Sequence, residues 1–485
     1  MKRTIILLLS GFFFLTTIVT GQTTEYRCYT WEKLKSSGPD LKLIGQIGVK
    51  HSKDIQSSLW SVGCETLDRD QAKFSVYKEY LGELGIKHAR LQSGWAKCEK
   101  QKGIYNFEWL DSCVYGLNEQ SIKPWICLCY GNPLYGSDLN LGAGVAALVN
   151  SEDAMAAWLK YVEITVNRYK NVVNEWEVWN EPYGQEKDYA LLLIKTAELI
   201  RRIQPESVIL GEILWETHEP GIKELLEALK SRGKLNLVDY WAYHPYRYNP
   251  DDCYPILNEF IELLKSYNPD YKIYQGEVGC PSQLEWTHAL DYYPWTEYRQ
   301  AKWDLRRMAG DRVRNIPSSI FTIIDLRYSN MLQSFGLIRS NLLREFIYKR
   351  PSYYGVQHMV SFFDDTVIAM GELEYQSNSS RKLTVAGFKK EETPVVLIWY
   401  KDQIPSDNIG WDPVDIKIKA TNFNDPVYVE MISGKVYEID KTTFKMNGGD
   451  VKFDRLPLWD SPIMIAERSQ VTIVPFSTSK NEVSK

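Results

Sequence analysis

Residues 175–182 read Glu-Trp-Glu-Val-Trp-Asn-Glu-Pro, and they predict the end of a buried strand. Apolar and polar side chains alternate along this stretch, as they do in a strand. Pro182 cannot donate to a sheet ladder and biases the preceding residue towards extended geometry, so we expect Glu181 at or just past the strand's last position. Carboxylates at the carboxyl ends of parallel strands lie where α/β barrels carry out their chemistry.

Strand-like and helix-like runs alternate on both sides of this stretch. Helical spacing of apolar residues indicates helices at 74–84, 107–120, 151–166, 188–203, 221–229, 256–267 and 295–314. Strand-like runs alternate with them at 59–64, 86–91, 123–129, 172–181, 207–211, 237–243, 272–276 and 318–324. Eight such strands predict an α/β fold, a (β/α)8 TIM barrel over residues 51–362.

The pattern changes after residue 363, where short strand-like runs are separated by turn residues. These runs lie at 367–370, 382–388, 394–400, 414–418, 426–432, 436–439 and 463–467. Ser-Gly at 433–434 and Asn-Gly-Gly-Asp at 447–450 are typical of hairpin turns. We therefore predict a small antiparallel β-sandwich domain over residues 363–476 and a polar tail at 477–485. The N-terminal segment, residues 22–50, precedes the barrel, and one possible position for it is against the β-domain.

Composition excludes some partners and cofactors. The net charge of -5 provides no basic surface for nucleic acid. The spacing of the 8 Cys shows no disulfide framework, and the 6 His are scattered, so we expect neither a metal nor another cofactor.

The first 21 residues resemble an export signal. A charged Met-Lys-Arg head precedes an apolar run, and small residues end the stretch at Gly21. The alternative is a membrane anchor, but Ser10, Gly11, Thr16 and Thr17 interrupt a run that is short for a span. No later segment is apolar enough to span a membrane. We expect a signal peptide at residues 1–21 and a secreted or periplasmic protein.

Two glutamates end strands that face each other across the predicted barrel. Glu181 ends the fourth strand, and Glu277 ends the seventh. Cleavage of a glycosidic bond uses two carboxyl groups, one protonated to assist the leaving oxygen and one ionised. Other acidic residues follow strands at the same mouth and remain alternatives by position alone: Glu65, Asp68, Glu212, Glu216 and Asp325.

The residues around both glutamates carry a family resemblance. Residues 179–182, Trp-Asn-Glu-Pro, and residues 276–277, Gly-Glu, resemble the two catalytic motifs of clan A retaining glycoside hydrolases. Residues 91–95, 103–107 and 110–111 are similar to families 39 and 5, and family 39 more so. The small β-domain after the barrel is also similar to family 39. The resemblance is firm over residues 55–360.

The resemblance implies roles for individual residues. Glu181 would be the general acid/base and Glu277 the nucleophile. Asn180 would hold the sugar 2-hydroxyl, where hydrogen bonds strengthen towards the transition state. Arg90, at the end of the second strand, would lie under Glu277 and keep it ionised, although a purely structural salt bridge would make the same contact.

Further candidates follow other strands. His244 and Tyr246 end the sixth strand, where clan members place a His or Tyr against the nucleophile or the sugar. Five aromatic and polar residues could either form the wall of a sugar-binding subsite or pack within a loop, and both alternatives remain open. They are Trp95, Tyr130, Asn132, Trp215 and Trp286.

The chain departs from the clan after the eighth strand. Many members have a Trp there as the floor of the sugar site, whereas residues 323–328 read Ile-Ile-Asp-Leu-Arg-Tyr. Asp325 and Arg327 would make that floor polar, and an ion pair between these two residues is the alternative.

The predicted function is therefore a secreted retaining glycoside hydrolase that acts on a carbohydrate with β-type linkages. Two other readings remain open. One is a carbohydrate-binding barrel without turnover, and the other is a transglycosylase that uses the same residues. The sequence does not identify the sugar.

Overall fold

The computed structural model describes residues 37–475, except 137–138, 140–143, 183, 185, 214–218 and 420. The first described strand, β1 (Lys42–Ile47), lies outside the barrel. Eight parallel strands close in chain order: β2 (Trp60–Gly63), β3 (His88–Gln92), β4 (Lys123–Leu128), β5 (Glu175–Val178), β6 (Val208–Glu212), β7 (Tyr240–Tyr243), β8 (Lys272–Val278) and β9 (Ser318–Ile320). The predicted barrel is confirmed, with strand ends that differ by a few residues.

Helices follow most of the barrel strands and pack around them. The described helices are α1 (Phe74–Leu84), α2 (Trp95–Cys98), α3 (Glu108–Glu119), α4 (Gly144–Val149), α5 (Glu152–Tyr169), α6 (Glu186–Ile203), α7 (Glu219–Lys230), α8 (Cys253–Tyr267), α9 (Glu297–Val313) and α10 (Pro351–Phe362). Helix α5 begins where the Ser151 hydroxyl accepts a hydrogen bond from the Ala154 amide. None of the described helices is long and apolar enough to cross a membrane.

Two small antiparallel pairs follow the barrel, and a β-domain follows them. The pairs are β10 (Leu326–Arg327) with β11 (Leu332–Gln333), and β12 (Ile338–Ser340) with β13 (Phe346–Lys349). The remaining strands are β14 (Val367–Glu372), β15 (Tyr375–Ser377), β16 (Leu383–Lys390), β17 (Thr393–Tyr400), β18 (Asp412–Ile418), β19 (Pro426–Glu430), β20 (Lys435–Glu438), β21 (Phe444–Asn447), β22 (Asp450–Leu458), β23 (Ile463–Glu467) and β24 (Ile473–Val474).

The β-domain consists of two antiparallel sheets. One sheet has the order β14-β16-β17-β23-β19-β20-β1-β24, and the other has the order β15-β18-β22-β21. The N-terminal strand β1 therefore lies between β20 and β24. The predicted turn at 447–450 is confirmed, because Asn447 pairs with Asp450 while Gly448 and Gly449 adopt φ angles of 62° and 91°.

Helix α9 packs between the barrel and the β-domain, and nearly every residue in it is buried. Its charged side chains are buried because they find partners on both sides. Lys302 Nζ lies 2.5 Å from Asp460 Oδ1 in the β-domain, and Arg306 lies 2.6 Å from Asp251 in the barrel. The Lys302–Asp460 ion pair joins the β-domain to this helix, and the Arg306–Asp251 ion pair joins the helix to the loop after β7.

The predicted signal peptide and the polar tail at 477–485 lie outside the described residues.

Candidate functional site

A cleft of about 630 Å³ opens at the carboxyl ends of the barrel strands. It brings together several of the residues that the sequence singled out. Asn180, Glu181, His244, Tyr246 and Glu277 all line it.

The two predicted carboxylates face each other in this cleft. An oxygen of Glu181, an oxygen of Glu277 and a ring nitrogen of His244 all lie within 4.8 Å of one another. The Glu181 side chain is 27% exposed and that of Glu277 is 13% exposed, so both reach the cleft while remaining largely enclosed. The residues that hold them differ.

Glu277 is held through both of its oxygens. Arg90 Nη1 donates to Oε2 at 2.7 Å, and the Tyr246 hydroxyl donates to Oε1 at 3.0 Å. A carboxylate that accepts two such hydrogen bonds has little freedom to rotate.

Arg90 is fully buried beneath the cleft and binds several groups. Its Nε and Nη2 atoms donate to both oxygens of buried Glu177, at 2.8 and 3.0 Å, and Nη2 also donates to Asn180 Oδ1 at 2.7 Å. Burial alone would lower the pKa of Arg90, but the surrounding carboxylates, Glu177 first, raise it well above its ordinary value. Arg90 therefore forms a buried salt bridge with Glu177 inside the barrel and also lies under Glu277. The sequence analysis had offered a structural salt bridge and a contact that serves Glu277 as alternatives.

Glu181 is held by different groups. His244 Nδ1 lies 3.0 Å from its Oε1, and its backbone amide donates to Glu212 Oε2 at 2.7 Å. Burial raises the pKa of Glu212 to about 8. Burial would lower the pKa of His244, but the carboxylates of Glu212, Glu277 and Glu181 raise it to about 10. This cluster therefore binds protons more tightly than the isolated groups would.

Asn180 is fixed between Arg90 and a tyrosine. Its Oδ1 accepts from Arg90, and its Nδ2 donates to the hydroxyl of Tyr130 at 2.8 Å. Tyr130 itself lines the cleft, as one of its two sequence-based placements proposed. The amide is thereby held at the edge of the cleft beside Glu181.

Trp95 and Asn132 do not line the cleft. Trp95 is fully buried in α2, donates to Glu99 Oε2 at 2.6 Å and stacks on Tyr135. Asn132 donates to the Glu99 carbonyl at 2.8 Å and accepts from the Leu134 amide. Both residues stabilise the loops beside the cleft, so their placement as substrate-binding residues is not supported.

Asp325 is also outside the cleft, and the proposed ion pair with Arg327 is wrong. Asp325 is buried, and Arg350 donates to its two oxygens at 2.7 and 2.9 Å. Arg327 is exposed. The cleft wall near the end of β9 is instead aromatic, formed by Phe321 and Phe335, whose ring centroids lie 5.7 Å apart.

Other predicted wall residues have separate outcomes. Trp215 lies outside the described residues. Trp286 is 63% exposed on the loop after β8 and packs edge-on against Tyr292 rather than lining the cleft.

The sequence did not select several residues that line the cleft. Glu65 and Glu212 were named only as alternatives by position, and Arg69, Gln92 and Tyr328 were given no role. Glu65, Arg69, Gln92 and Glu212 lie at the end of a barrel strand or in the loop that follows one. Their position relative to the strand ends was therefore the only signal in the sequence.

Two sets of side chains have the spacing of metal ligands. They are Glu177, Glu212 and His244, and Glu181, His244 and Glu277. Arg90 already binds both oxygens of Glu177 and one of Glu277, so a cation at either set would compete with a buried guanidinium. The absence of a metal remains a prediction.

No protein-family model matches the chain. Solved structures of several glycoside hydrolases share its fold. A family 39 glycoside hydrolase from the gut symbiont Bacteroides cellulosilyticus WH2 matches with a TM-score of 0.61 and 18% identity, over 85% of this chain and 81% of that one. A family 39 β-xylosidase from Caulobacter crescentus matches at 0.51 and 16%, and a family 30 endoxylanase from Clostridium papyrosolvens C71 at 0.51 and 13%. Each of these two matches covers 88% of this chain and 98% of the other.

Proposed function

We propose that the protein is a retaining glycoside hydrolase that cleaves β-type linkages in oligo- or polysaccharides. The observation that carries the proposal is the approach of Glu181 and Glu277, with oxygens within 4.8 Å across the mouth of the barrel. Retaining enzymes place their two carboxyl groups about 5–5.5 Å apart, whereas inverting enzymes need about 6.5–9.5 Å to admit a water molecule. The shared fold with glycoside hydrolases supports the same reading.

In the first step the ionised Glu277 attacks the anomeric carbon. The bond to the leaving oxygen breaks, and the proton on Glu181 passes to that oxygen, so that alcohol and glycosyl ester form together. Arg90 and Tyr246 hold the attacking carboxylate in one orientation.

In the second step water replaces the ester. Glu181 removes a proton from the water as the oxygen attacks the anomeric carbon from the face that the leaving group vacated, and Glu277 leaves as a carboxylate. Asn180, held by Arg90 and Tyr130, has an amide beside this carbon to bind the 2-hydroxyl.

The decisive test replaces the nucleophile. Glu277→Gly should abolish hydrolysis of aryl β-glycosides, and added azide should restore turnover by entering the vacated space and forming the α-glycosyl azide. Aryl β-xylosides should be the first substrates tested, because two of the structures that share the fold are named as a xylosidase and an endoxylanase. Normal hydrolysis by this variant would show that Glu277 is not the nucleophile.

A matched control tests whether any buried glutamate near the cleft has this effect. Glu99 is fully buried outside the cleft and is held by Trp95 and Tyr135. Glu99→Gly should lower stability but should gain no turnover from azide.

The acid/base assignment has its own test. Glu181→Ala should retain most of its kcat/KM on dinitrophenyl glycosides, whose leaving group needs no proton, although kcat falls because the second step lacks its base. On alkyl glycosides kcat/KM should fall about 10²–10⁴-fold. Azide should restore this variant as the β-glycosyl azide, because the sugar ester on Glu277 still forms. Equal activity of variant and wild type on both leaving groups would exclude Glu181.

Two other readings lead to different results with the same protein. A carbohydrate-binding barrel without turnover would bind glycans and hydrolyse no member of a broad panel of glycosides. A transglycosylase would form new glycosides at high concentrations of acceptor sugar, and product analysis would detect them.

We also propose that the protein is exported, on the strength of the charged head and apolar run in residues 1–21. N-terminal sequencing of protein recovered outside the cytoplasm should begin at residue 22. A mature chain that retains Met1 would overturn this proposal.

A further inference from the structure

Glu212 is a buried carboxyl group beside the acid/base, and the two steps above do not use it. It is the last residue of β6, which pairs with β5, and its side chain is 1% exposed. Its Oε2 accepts a hydrogen bond of 2.7 Å from the backbone amide of Glu181, and its Oε1 lies 3.4 Å from His244 Nδ1. The same ring nitrogen lies 3.0 Å from Glu181 Oε1. Glu212 therefore contacts the backbone of the acid/base and also the ring that holds its carboxyl group.

The backbone of Glu181 needs such support. Its φ angle is 49°, in the left-handed region that residues with a side chain rarely adopt, whereas a residue before a proline, here Pro182, favours extended geometry. Trp179, two residues earlier, also has a positive φ angle, of 69°. Conformations of this kind persist only where the surrounding structure holds them. The turn that carries the acid/base therefore depends on the groups that bind its backbone.

Tyr189 of α6 fixes Glu212 against the end of β5. The Tyr189 hydroxyl donates to the carbonyl of Val178, the last residue of β5, at 2.8 Å. The same hydroxyl accepts from the backbone amide of Glu212 at 2.7 Å. Glu212 is thus joined to the β5 end through its own backbone and to Glu181 through its side chain, so it is a rigid support for the turn.

The nucleophile and the acid/base have different hydrogen-bond partners. Glu277 accepts from Arg90 and Tyr246, whereas Glu181 is bound by Glu212 at its amide and by His244 at its carboxyl group. Loss of the Glu212 carboxyl group should therefore displace the acid/base while the hydrogen bonds to the nucleophile remain. A displacement of about 1 Å at a reacting group can cost about 10²-fold in rate.

We propose that Glu212 is a positioning residue for the acid/base, which holds the Glu181 backbone so that the Glu181 carboxyl group meets the leaving oxygen of the substrate. The inference rests on the proposed function, because it needs Glu181 to donate a proton. Glu212 acts through Glu181 and forms no bond to the substrate. A leaving group that needs a proton therefore depends on Glu212, and one that needs none does not.

The test compares two leaving groups on the same sugar. Glu212→Leu keeps most of the bulk but has no oxygen to accept the Glu181 amide. It should lower kcat/KM by about 10- to 100-fold on alkyl glycosides, which need the proton, and should stay within about threefold of the wild type on dinitrophenyl glycosides. Glu212→Ala replaces this variant if the leucine protein does not fold.

Three further variants separate positioning from a general structural effect. Glu212→Gln keeps a carbonyl oxygen as acceptor and should remain within about fivefold of the wild type on both leaving groups. Glu212→Leu combined with Glu181→Ala should lose no more than about threefold beyond Glu181→Ala alone on alkyl glycosides, because the group that Glu212 positions is already absent. Glu99→Ala is the matched control, since it removes a buried carboxyl group outside the cleft and should lose the same factor on both leaving groups.

Each outcome supports or overturns the inference. If Glu212→Leu loses an equal factor on both leaving groups, Glu212 is a structural residue and the inference is wrong, while the proposed function stands. If Glu212→Gln is as impaired as Glu212→Leu on alkyl glycosides, the hydrogen bond to Glu181 is not the cause, and the inference is again wrong. If the losses of Glu212→Leu and Glu181→Ala multiply, Glu212 acts without Glu181, which also overturns it. If Glu181→Ala shows no preference for the better leaving group, the acid/base assignment and this inference fail together.

Discussion

Replacing Arg90 by Met should destabilise the protein and impair the nucleophile together. The side chains of Arg90 and Glu177 are both 0% exposed and share two hydrogen bonds, at 2.8 and 3.0 Å. Arg90→Met removes both hydrogen bonds and leaves the buried Glu177 carboxylate without these donors. Removing one partner of a buried pair leaves an uncompensated buried charge, which costs about 3–5 kcal/mol. The lost hydrogen bond to Glu277 should lower kcat by about 10- to 100-fold, since bonds to charged groups contribute about 1.5–3 kcal/mol.

A double-mutant cycle identifies the cause of the destabilisation. Arg90→Met with Glu177→Met removes both charges, so the double variant should be more stable than Arg90→Met alone by about 2 kcal/mol. Urea unfolding measures the free energy of unfolding of Arg90→Met, Glu177→Met and the double variant. Tryptophan fluorescence can follow the unfolding, because the chain contains 16 Trp.

An exposed arginine provides the matched control. Arg168 forms a similar pair with Asp111, but its side chain is 43% exposed and that of Asp111 is 22% exposed. Arg168→Met should therefore cost about 1 kcal/mol or less. The reasoning is refuted if Arg90→Met destabilises no more than Arg168→Met, or if the Arg90 and Glu177 effects simply add.

Three further predictions follow from single contacts. Tyr246→Phe removes the 3.0 Å hydrogen bond to Glu277 and should lower kcat/KM about tenfold without changing the melting temperature; an unchanged kcat/KM would contradict this. Burial raises the pKa of Glu212 to about 8 from 4.5, so the stability it contributes is complete below pH 4.5 and is lost as pH rises through 8; Glu212→Gln should flatten this decline in urea titrations, and a curve parallel to wild type would count against it. Burial lowers the pKa of His358 to about 4 from 6.5, so its contribution is present above pH 6.5 and is lost as pH falls through 4; melting temperatures of His358→Asn between pH 4 and 7 should show a smaller acid loss, and an equal loss would exclude this residue as a source.

The barrel could be predicted because its signals are local. Each strand is a short apolar run closed by turn or proline chemistry, as at Pro182, and that information lies within a few residues. In the β-domain the strands Tyr375–Ser377, Phe444–Asn447 and Asp450–Leu458 were not predicted. They are short or carry charged residues on a solvent-facing side, so their apolar runs are too weak to be recognised.

The site could be predicted in part. Glu181, Glu277, Asn180 and Arg90 end or follow their strands, and the barrel brings strand ends together whatever the loops do. Side chains whose destination depends on distant packing could not be placed.

Asp325 and Phe321 show the difference. Arg350, the partner of Asp325, lies 25 residues away with no periodic relation to it. Phe321 has the appearance of an ordinary core residue in a strand, and only the closed barrel turns its ring towards the cleft.

The position of β1 has a consequence for biosynthesis. Its neighbours β20 and β24 belong to the last part of the chain, so the barrel is inserted between one strand and the rest of its sheet. From Ile47 to Lys435 the ribosome must add 435 − 47 = 388 residues, which takes about 20–80 s at roughly 5–20 residues per second. Throughout that interval β1 is a strand with open edges, whereas the barrel has all of its own strands some 115 residues before β20 begins, as 435 − 320 = 115. The order of synthesis therefore favours folding of the barrel before the β-domain is complete. A nascent chain halted in that interval exposes the edges of β1 to any strand able to pair with them.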